Sequence, residues 1–194
     1  MTKILVVDDS KTYNKTFCTY LKRPSYKILQ AYTLHEAKHI VETNKDIDFI
    51  FLDLILPDGD GDDLIDVIDT NSKVNTKIII LTGTHDIQKR YYLFEKGVAD
   101  YFIKDTPIDI LMLDVHKLII SLNKNKKKNI LILDDSTFVR KTIENILKTK
   151  NYNLYSVENP IEAFKILKDT KINLIFSDLE MPKMDGMEFL EKIK

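Results

Sequence analysis

Ile4-Leu5-Val6-Val7-Asp8-Asp9-Ser10 sets four apolar residues before two acids and a hydroxyl, and Ile130-Leu131-Ile132-Leu133-Asp134-Asp135-Ser136 repeats the pattern 126 residues later. A second block behaves alike: Asp53-Leu54-Ile55-Leu56-Pro57 with Gly61 recurs as Asp178-Leu179-Glu180-Met181-Pro182 with Gly186, at an offset of 125. Register held to within one residue across about 44 positions marks an internal duplication. The chain is therefore read as one structural unit used twice.

Working outward in the first copy, short apolar runs alternate with helix-period segments, the pattern of a parallel sheet built from strand-helix units. Strands are expected at Ile4–Val7, Tyr26–Ala31, Phe49–Leu52, Ile78–Leu81 and Tyr101–Ile103. Phe49-Ile50-Phe51-Leu52 and Ile78-Ile79-Ile80-Leu81 are apolar at every position, as central strands covered on both faces must be. Leu34, Ala37, Ile40 and Val41 share one helical face, as do Ile108, Leu111, Val115, Leu118, Ile119 and Leu122. The fold class that follows is α/β: a doubly wound five-stranded parallel sheet with helices on both faces, repeated, the second copy incomplete.

Composition sets outer bounds. The chain has 194 residues, 44% hydrophobic and 30% charged, with a formal net charge of −1, which gives no global field for nucleic acid or anionic lipid. No apolar run approaches the roughly 20 residues that cross a bilayer, so a cytoplasmic protein without membrane contact is expected. Cys18 is alone, which excludes an internal disulfide and paired-cysteine metal chemistry; it is read as filling a helix face. His35, His39, His85 and His116 are scattered and read as solvated. The basic stretch Lys124-Asn125-Lys126-Lys127-Lys128 falls between the copies and is read as a solvated linker or helix end.

In open α/β sheets ligands gather at the carboxyl ends of the strands. There the first copy places Asp8 and Asp9, then Asp53, Thr82 and Lys104. Carboxylates about 4 Å apart repel by roughly 4 kcal/mol per pair at an effective dielectric near 20, so the cluster calls for a cation. Hard oxygen ligands suit Mg²⁺; a Ca²⁺ site of the EF-hand kind would need a denser ligand loop. An aspartate beside such a cation can act as a nucleophile toward phosphorus, and Lys104 and Thr82 can neutralise phosphoryl oxygens. Taken singly, each has a plainer reading: an Asp-Asp pair caps a helix, Thr82 ends a strand, Lys104 is a surface lysine. Gly59, Gly61 and Gly186 are read as turn formers, since no glycine-rich nucleotide fingerprint is present.

Asp8-Asp9, Asp53, Thr82 and Lys104 at these spacings resemble the receiver domain of two-component response regulators, and the resemblance extends over essentially the whole chain, twice. It implies a flavodoxin-like fold with strand order 2-1-3-4-5 and Asp53 as phospho-acceptor. Asp8, Asp9, Asp53 and the backbone carbonyl of Ile55 would bind Mg²⁺, while Thr82 and Lys104 contact the phosphoryl group. Tyr101 matches the family's switch aromatic. Histidine kinases or phosphotransfer proteins are the implied partners, and a homodimer formed through the fourth helix, fifth strand and fifth helix is the implied assembly. The sequence departs from the family pattern where Asp105 and Thr106 separate Lys104 from Pro107, and where bulky Ile55 stands two residues after the acceptor, which implies slow loss of phosphate.

Residues 1–123 are expected to form a complete receiver, 124–128 the linker or helix end, and 129–194 the N-terminal part of a second receiver. In that copy Asp134, Asp135 and Asp178 repeat the acceptor and metal half of the site, with Asp178 as a second acceptor and Glu180 at the metal-binding carbonyl position. The expectation is that the intact product continues through a full second receiver. Two other readings stay open: a regulatory part of a longer output enzyme such as a diguanylate cyclase, and a non-phosphorylated dimerisation adaptor.

Overall fold

Continuous apolar strands need cover on both faces, and the architecture meets that need with helices on each side. A computed structural model describes residues 1–71, 76–182 and 184–193. The chain divides into two compact units, Met1–Leu118 and Ile119–Lys194.

The first unit contains β1 (Thr2–Val7), α1 (Lys11–Leu21), β2 (Tyr26–Ala31), α2 (Leu34–Thr43), β3 (Phe49–Leu52), β4 (Ile55–Leu56), β5 (Gly59–Asp60), α3 (Asp62–Asn71), β6 (Lys77–Thr82), α4 (Ile87–Glu95), β7 (Asp100–Ile103) and most of α5 (Ile108–Asn125). Its main sheet is parallel, in the order β2-β1-β3-β6-β7, which is 2-1-3-4-5 when only main-sheet strands are numbered. The expected strands all form; three gain one or two residues at their ends. The antiparallel pair β4–β5, with Ile55 opposite Asp60, was not anticipated, because two-residue strands have no hydrophobic period to read. Leu5 and Val7 of β1, Ile50 and Leu52 of β3 and Ile78 and Ile80 of β6 share one buried core with Leu64 and Leu93, and the Phe17 and Phe51 rings meet 5.1 Å apart.

Helix starts are encoded locally. The Ser10 hydroxyl accepts from the Tyr13 N–H at 3.3 Å, and Thr33 accepts from Glu36 N–H while the Glu36 carboxylate accepts from Tyr32 N–H. Such caps satisfy donors that the first turn leaves free. Each cap faces the carboxyl edge of the sheet, so the same residues that start helices also shape the loops of the site.

The second unit holds β8 (Asn129–Leu133), α6 (Thr137–Thr149), β9 (Asn153–Val157), α7 (Pro160–Asp169), β10 (Leu174–Ser177) and α8 (Gly186–Ile193). Its parallel sheet runs β10-β8-β9, the counterpart of β3-β1-β2. Ser136 and Asn159 cap α6 and α7 as Ser10 and Thr33 cap α1 and α2. Whereas β3 is wholly buried between two neighbours, β10 is an edge strand with Leu174 and Phe176 exposed. Lys124 and Asn125 end α5, and Asn125 Nδ2 donates to the Lys150 carbonyl at 2.9 Å.

Candidate functional site

Asp8 directly follows β1 and Asp53 directly follows β3, adjacent parallel strands whose last residues Val7 and Leu52 pair and so set the two carboxylates side by side. Asp8, Asp9 and Asp53 offer ligand oxygens within 4.8 Å of one another. Asp8 and Asp53 are buried and Asp9 is exposed, so the cluster opens to solvent through Asp9. Backbone donors hold the inner pair: Ser10 N–H reaches Asp8 Oδ1 at 3.0 Å and Ile55 N–H reaches Asp53 Oδ1 at 3.3 Å.

Lys104 follows β7 and closes the site from the other side. Its Nζ lies 2.5 Å from Asp53 Oδ2 and 2.6 Å from Asp8 Oδ2. Both contacts are close ion pairs, and the Asp8 one has the poorer hydrogen-bond alignment. Burial pushes the Asp8 carboxyl above its ordinary range, against the pull of Lys104. Burial disfavours the Lys104 ammonium, but hydrogen bonds and charges from Asp53 and Asp8 outweigh it and raise the amine above its usual value. Three carboxylates converging against a single ammonium form an oxygen donor set that fits a hard divalent cation.

Thr82, at the end of β6, is fully buried; its hydroxyl lies 3.0 Å from the Thr84 hydroxyl. Tyr101 is buried in β7 and its hydroxyl donates to the Thr84 carbonyl at 3.0 Å, so the loop after β6 joins Thr82 to Tyr101. Arg90 lies 5.5 Å from the Tyr101 ring centre. Ile55 is 65% exposed beside Asp53. After Lys104 the chain turns through Thr106 N–H to the Ile103 carbonyl, and Pro107 accepts from Leu111 at the start of α5; among the described residues no peptide bond is cis.

The second unit repeats half of this. Asp134, Asp135 and Asp178 also place ligand oxygens within 4.8 Å, with Ser136 N–H on Asp134 Oδ1 at 2.8 Å and Glu180 N–H on Asp178 Oδ1 at 3.3 Å. No strand beyond β10 occurs among the described residues to bring a threonine and lysine to it.

Several contributors were not legible in the sequence. Fully buried Asn14 donates to the carbonyls of Asp8 and Ala31 at 3.2 and 3.1 Å, and accepts from Gln30 at 2.7 Å; Arg140 takes that place in the second unit, donating to the Asp134 carbonyl at 2.5 Å. Asp58 accepts from Leu34 and His35 N–H groups at 2.7 and 2.8 Å, which holds its carboxyl below the usual range. Lys89 of α4 pairs with Asp62, with Asp60 3.7 Å away. A Cβ on Gly61 would meet the Asp53 carbonyl oxygen at 2.3 Å, and one on Gly186 the Asp178 oxygen at 2.2 Å, so these glycines permit close backbone approach. Their recurrence eight residues after each aspartate was the available signal. Three histidines are exposed; His116 is half-buried 2.9 Å from the Arg23 guanidinium, and burial followed by that charge lowers its pKa. Cys18 donates to Asn14 Oδ1, and burial pushes its thiol up to about 11.

A 2-1-3-4-5 parallel sheet with a buried acid pair at its carboxyl edge, repeated in part, defines a receiver-type signalling module. The response regulator receiver domain model matches residues 4–116 and 130–194, and the chain belongs to that family. It is 24% identical over 191 residues to the cell cycle transcriptional regulator CtrA of Caulobacter vibrioides, covering 94% of this chain and 80% of that protein. Response regulator SaeR of Staphylococcus aureus is 26% identical over 194 residues, covering 98% and 82%. Among solved structures, a two-component system response regulator/GGDEF domain protein matches with a TM-score of 0.76 and 25% identity, covering 100% of this chain and 77% of that one. A CheY-like receiver from Methanospirillum hungatei shares the fold at a TM-score of 0.56 and 21% identity, covering 64% of this chain and 98% of that one. Among the described residues no helix is long and apolar enough to cross a membrane.

Proposed function

We propose that the first receiver, residues 1–123, accepts a phosphoryl group on Asp53 from a histidine kinase or phosphotransfer protein. The single observation behind this reading is the Lys104 ammonium bridging the carboxylates of Asp8 and Asp53, with buried Thr82 on the neighbouring strand. An Asp53 oxygen attacks the phosphorus of a phosphohistidine; the O–P bond forms as the P–N bond breaks, and the electron pair returns to an imidazole that leaves neutral when its other nitrogen holds a proton. Lys104 moves from carboxylate to phosphoryl oxygen, and the Thr82 hydroxyl donates to another. Asp8, Asp9, Asp53 and the Ile55 carbonyl would hold Mg²⁺, which neutralises phosphoryl charge when bound. The residues 129–194 would form part of a second receiver, in which Asp134, Asp135, Asp178 and the Glu180 carbonyl provide the acceptor and metal half, with Asp178 as acceptor.

Recruitment of Thr82 would draw on the Thr84 loop that also fixes Tyr101, so the event at Asp53 has a route to α4, β7 and α5. Exposed Ile87, Tyr91, Ile110 and Leu113 lie on those helices and suit a phosphorylation-dependent homodimer or output contact. A second reading, that the chain is the regulatory part of a diguanylate cyclase, is favoured by its likeness to the response regulator/GGDEF protein; a Gly-Gly-Asp/Glu-Glu-Phe segment in the intact reading frame would establish it. The test of the main reading is incubation with Mg²⁺ and acetyl phosphate or beryllofluoride, with mass and oligomeric state read for wild type and Asp53→Asn. Modification that needs Mg²⁺ and vanishes in the variant supports the acceptor. No modification overturns it and leaves an adaptor.

A further inference from the structure

Lys104 hangs on a flexible four-carbon stem, yet the proposed chemistry needs its ammonium at one place. Two carboxylates fix one side of it. On another side lies an aromatic ring: Lys104 Nζ sits 4.9 Å from the ring centre of Tyr13, on the first turns of α1. The Tyr13 hydroxyl is buried without a hydrogen-bond partner, so no polar contact elsewhere accounts for the ring's placement, which rests on its packing against Phe17, 6.2 Å between centres, and against Lys104.

We infer that Tyr13 is a positioning residue of the Asp53 site: its ring face seats the Lys104 ammonium by a cation–π contact and so holds it over Asp8 and Asp53. The contact is electrostatic, from the ring quadrupole, and strengthens where water is excluded. It also limits the rotamers open to the lysine, so less freedom is lost when the ammonium engages a phosphoryl oxygen. A tyrosine ring is neutral at physiological pH, and burial, then the charges of Asp8 and Asp53, push this phenol further up, to about 12. The second unit has Val139 at the corresponding position after its acid pair, and no lysine ion-pairs with Asp134 or Asp178 among its described residues; ring and lysine occur together in the first unit.

This inference rests on the acceptor reading for its kinetic consequence but not for its geometry, and two measurements separate them. The first is a double-mutant cycle on the rate at which acetyl phosphate with Mg²⁺ modifies Asp53. Tyr13→Leu and Tyr13→Met should be about three- to tenfold slower, the range a part-buried cation–π contact supports, with Tyr13→Phe within about twofold of wild type. In a Lys104→Ala background the Tyr13→Leu change should have no further effect. Losses that multiply in the double variant, or a Tyr13→Phe rate as low as Tyr13→Leu, would overturn the assignment. The second needs no phosphorylation: the Lys104 Cε protons should be shifted upfield by the ring current in wild type and Tyr13→Phe, and return toward ordinary lysine values in Tyr13→Met. An unshifted Lys104 in wild type refutes the seat even if Asp53 is modified, while a shifted Lys104 with no modification refutes the acceptor reading alone.

Discussion

Replacing Gly61 by alanine inserts one methyl group where the chain after Asp53 crosses the backbone of Asp53 itself. The new Cβ would stand 2.3 Å from the Asp53 carbonyl oxygen, 3.0 Å from Leu54 Cα and 3.2 Å from the Asp53 carbonyl carbon. All three neighbours are backbone atoms, so no side-chain rotation relieves the clash; either the loop or Asp53 must move by about 1 Å to regain van der Waals distance. The hydrogen bonds at stake are Gly61 N–H to the Leu54 carbonyl at 2.8 Å and Asp53 N–H to the Val7 carbonyl at 2.9 Å. Overpacking against backbone belongs at the upper end of the range for such changes, about 3 kcal/mol. On the acceptor reading, a 1 Å displacement of the Asp53 carboxylate is expected to slow modification by about 100-fold. Urea denaturation measures the first quantity and beryllofluoride or acetyl phosphate modification of Asp53 the second. Gly83→Ala is the stability control, since a Cβ there meets nothing within 4 Å; its stability should stay within about 0.5 kcal/mol of wild type. A Gly61→Ala protein as stable as that control, with wild-type modification, would refute the close-approach argument.

Asp8→Asn should stabilise the fold at neutral pH in the absence of divalent cation, while abolishing Mg²⁺-dependent modification. The native pKa of Asp8 is raised, so its contribution to stability is fully present below the unfolded value near 3.8 and is lost as pH rises through the native value; the gain in urea midpoint should be present at pH 7 and shrink toward pH 4. Asn14→Leu leaves the Asp8 carbonyl and the Gln30 amide without their buried partner and should cost about 2 kcal/mol, read by thermal or urea unfolding. Exposed Ile55 offers no polar group to orient water, so phosphorylated Asp53 should hydrolyse slowly; a half-life of seconds, followed by phosphate release, would contradict that role.

The strands were readable because a buried parallel strand must be apolar throughout, and Phe49–Leu52 and Lys77–Thr82 are nearly so. The helices were readable from their period, and the structure shows caps such as Ser10 and Thr33, acting within four residues, fixing where they start. Local rules of this kind also located Asp8, Asp53, Thr82 and Lys104, because a strand's carboxyl end is a position along the chain before it is a position in space. The short pair β4–β5 escaped, having too few residues to show a pattern.

What the amino-acid sequence determined by itself was the duplication, the parallel α/β plan and the acids at the strand ends, since each depends on residue type and spacing over short range. Only the tertiary structure decided that Lys104 reaches Asp53 across 51 residues of chain and contacts Asp8 as well, that Asn14 supports the Asp8 backbone, that Tyr13 lies under the ammonium, and that Gly61 and Gly186 press against the Asp53 and Asp178 backbone. Each of these depends on how closely two distant segments approach. Approach distance is set by packing of the whole sheet and its helices, and no spacing along the chain records it.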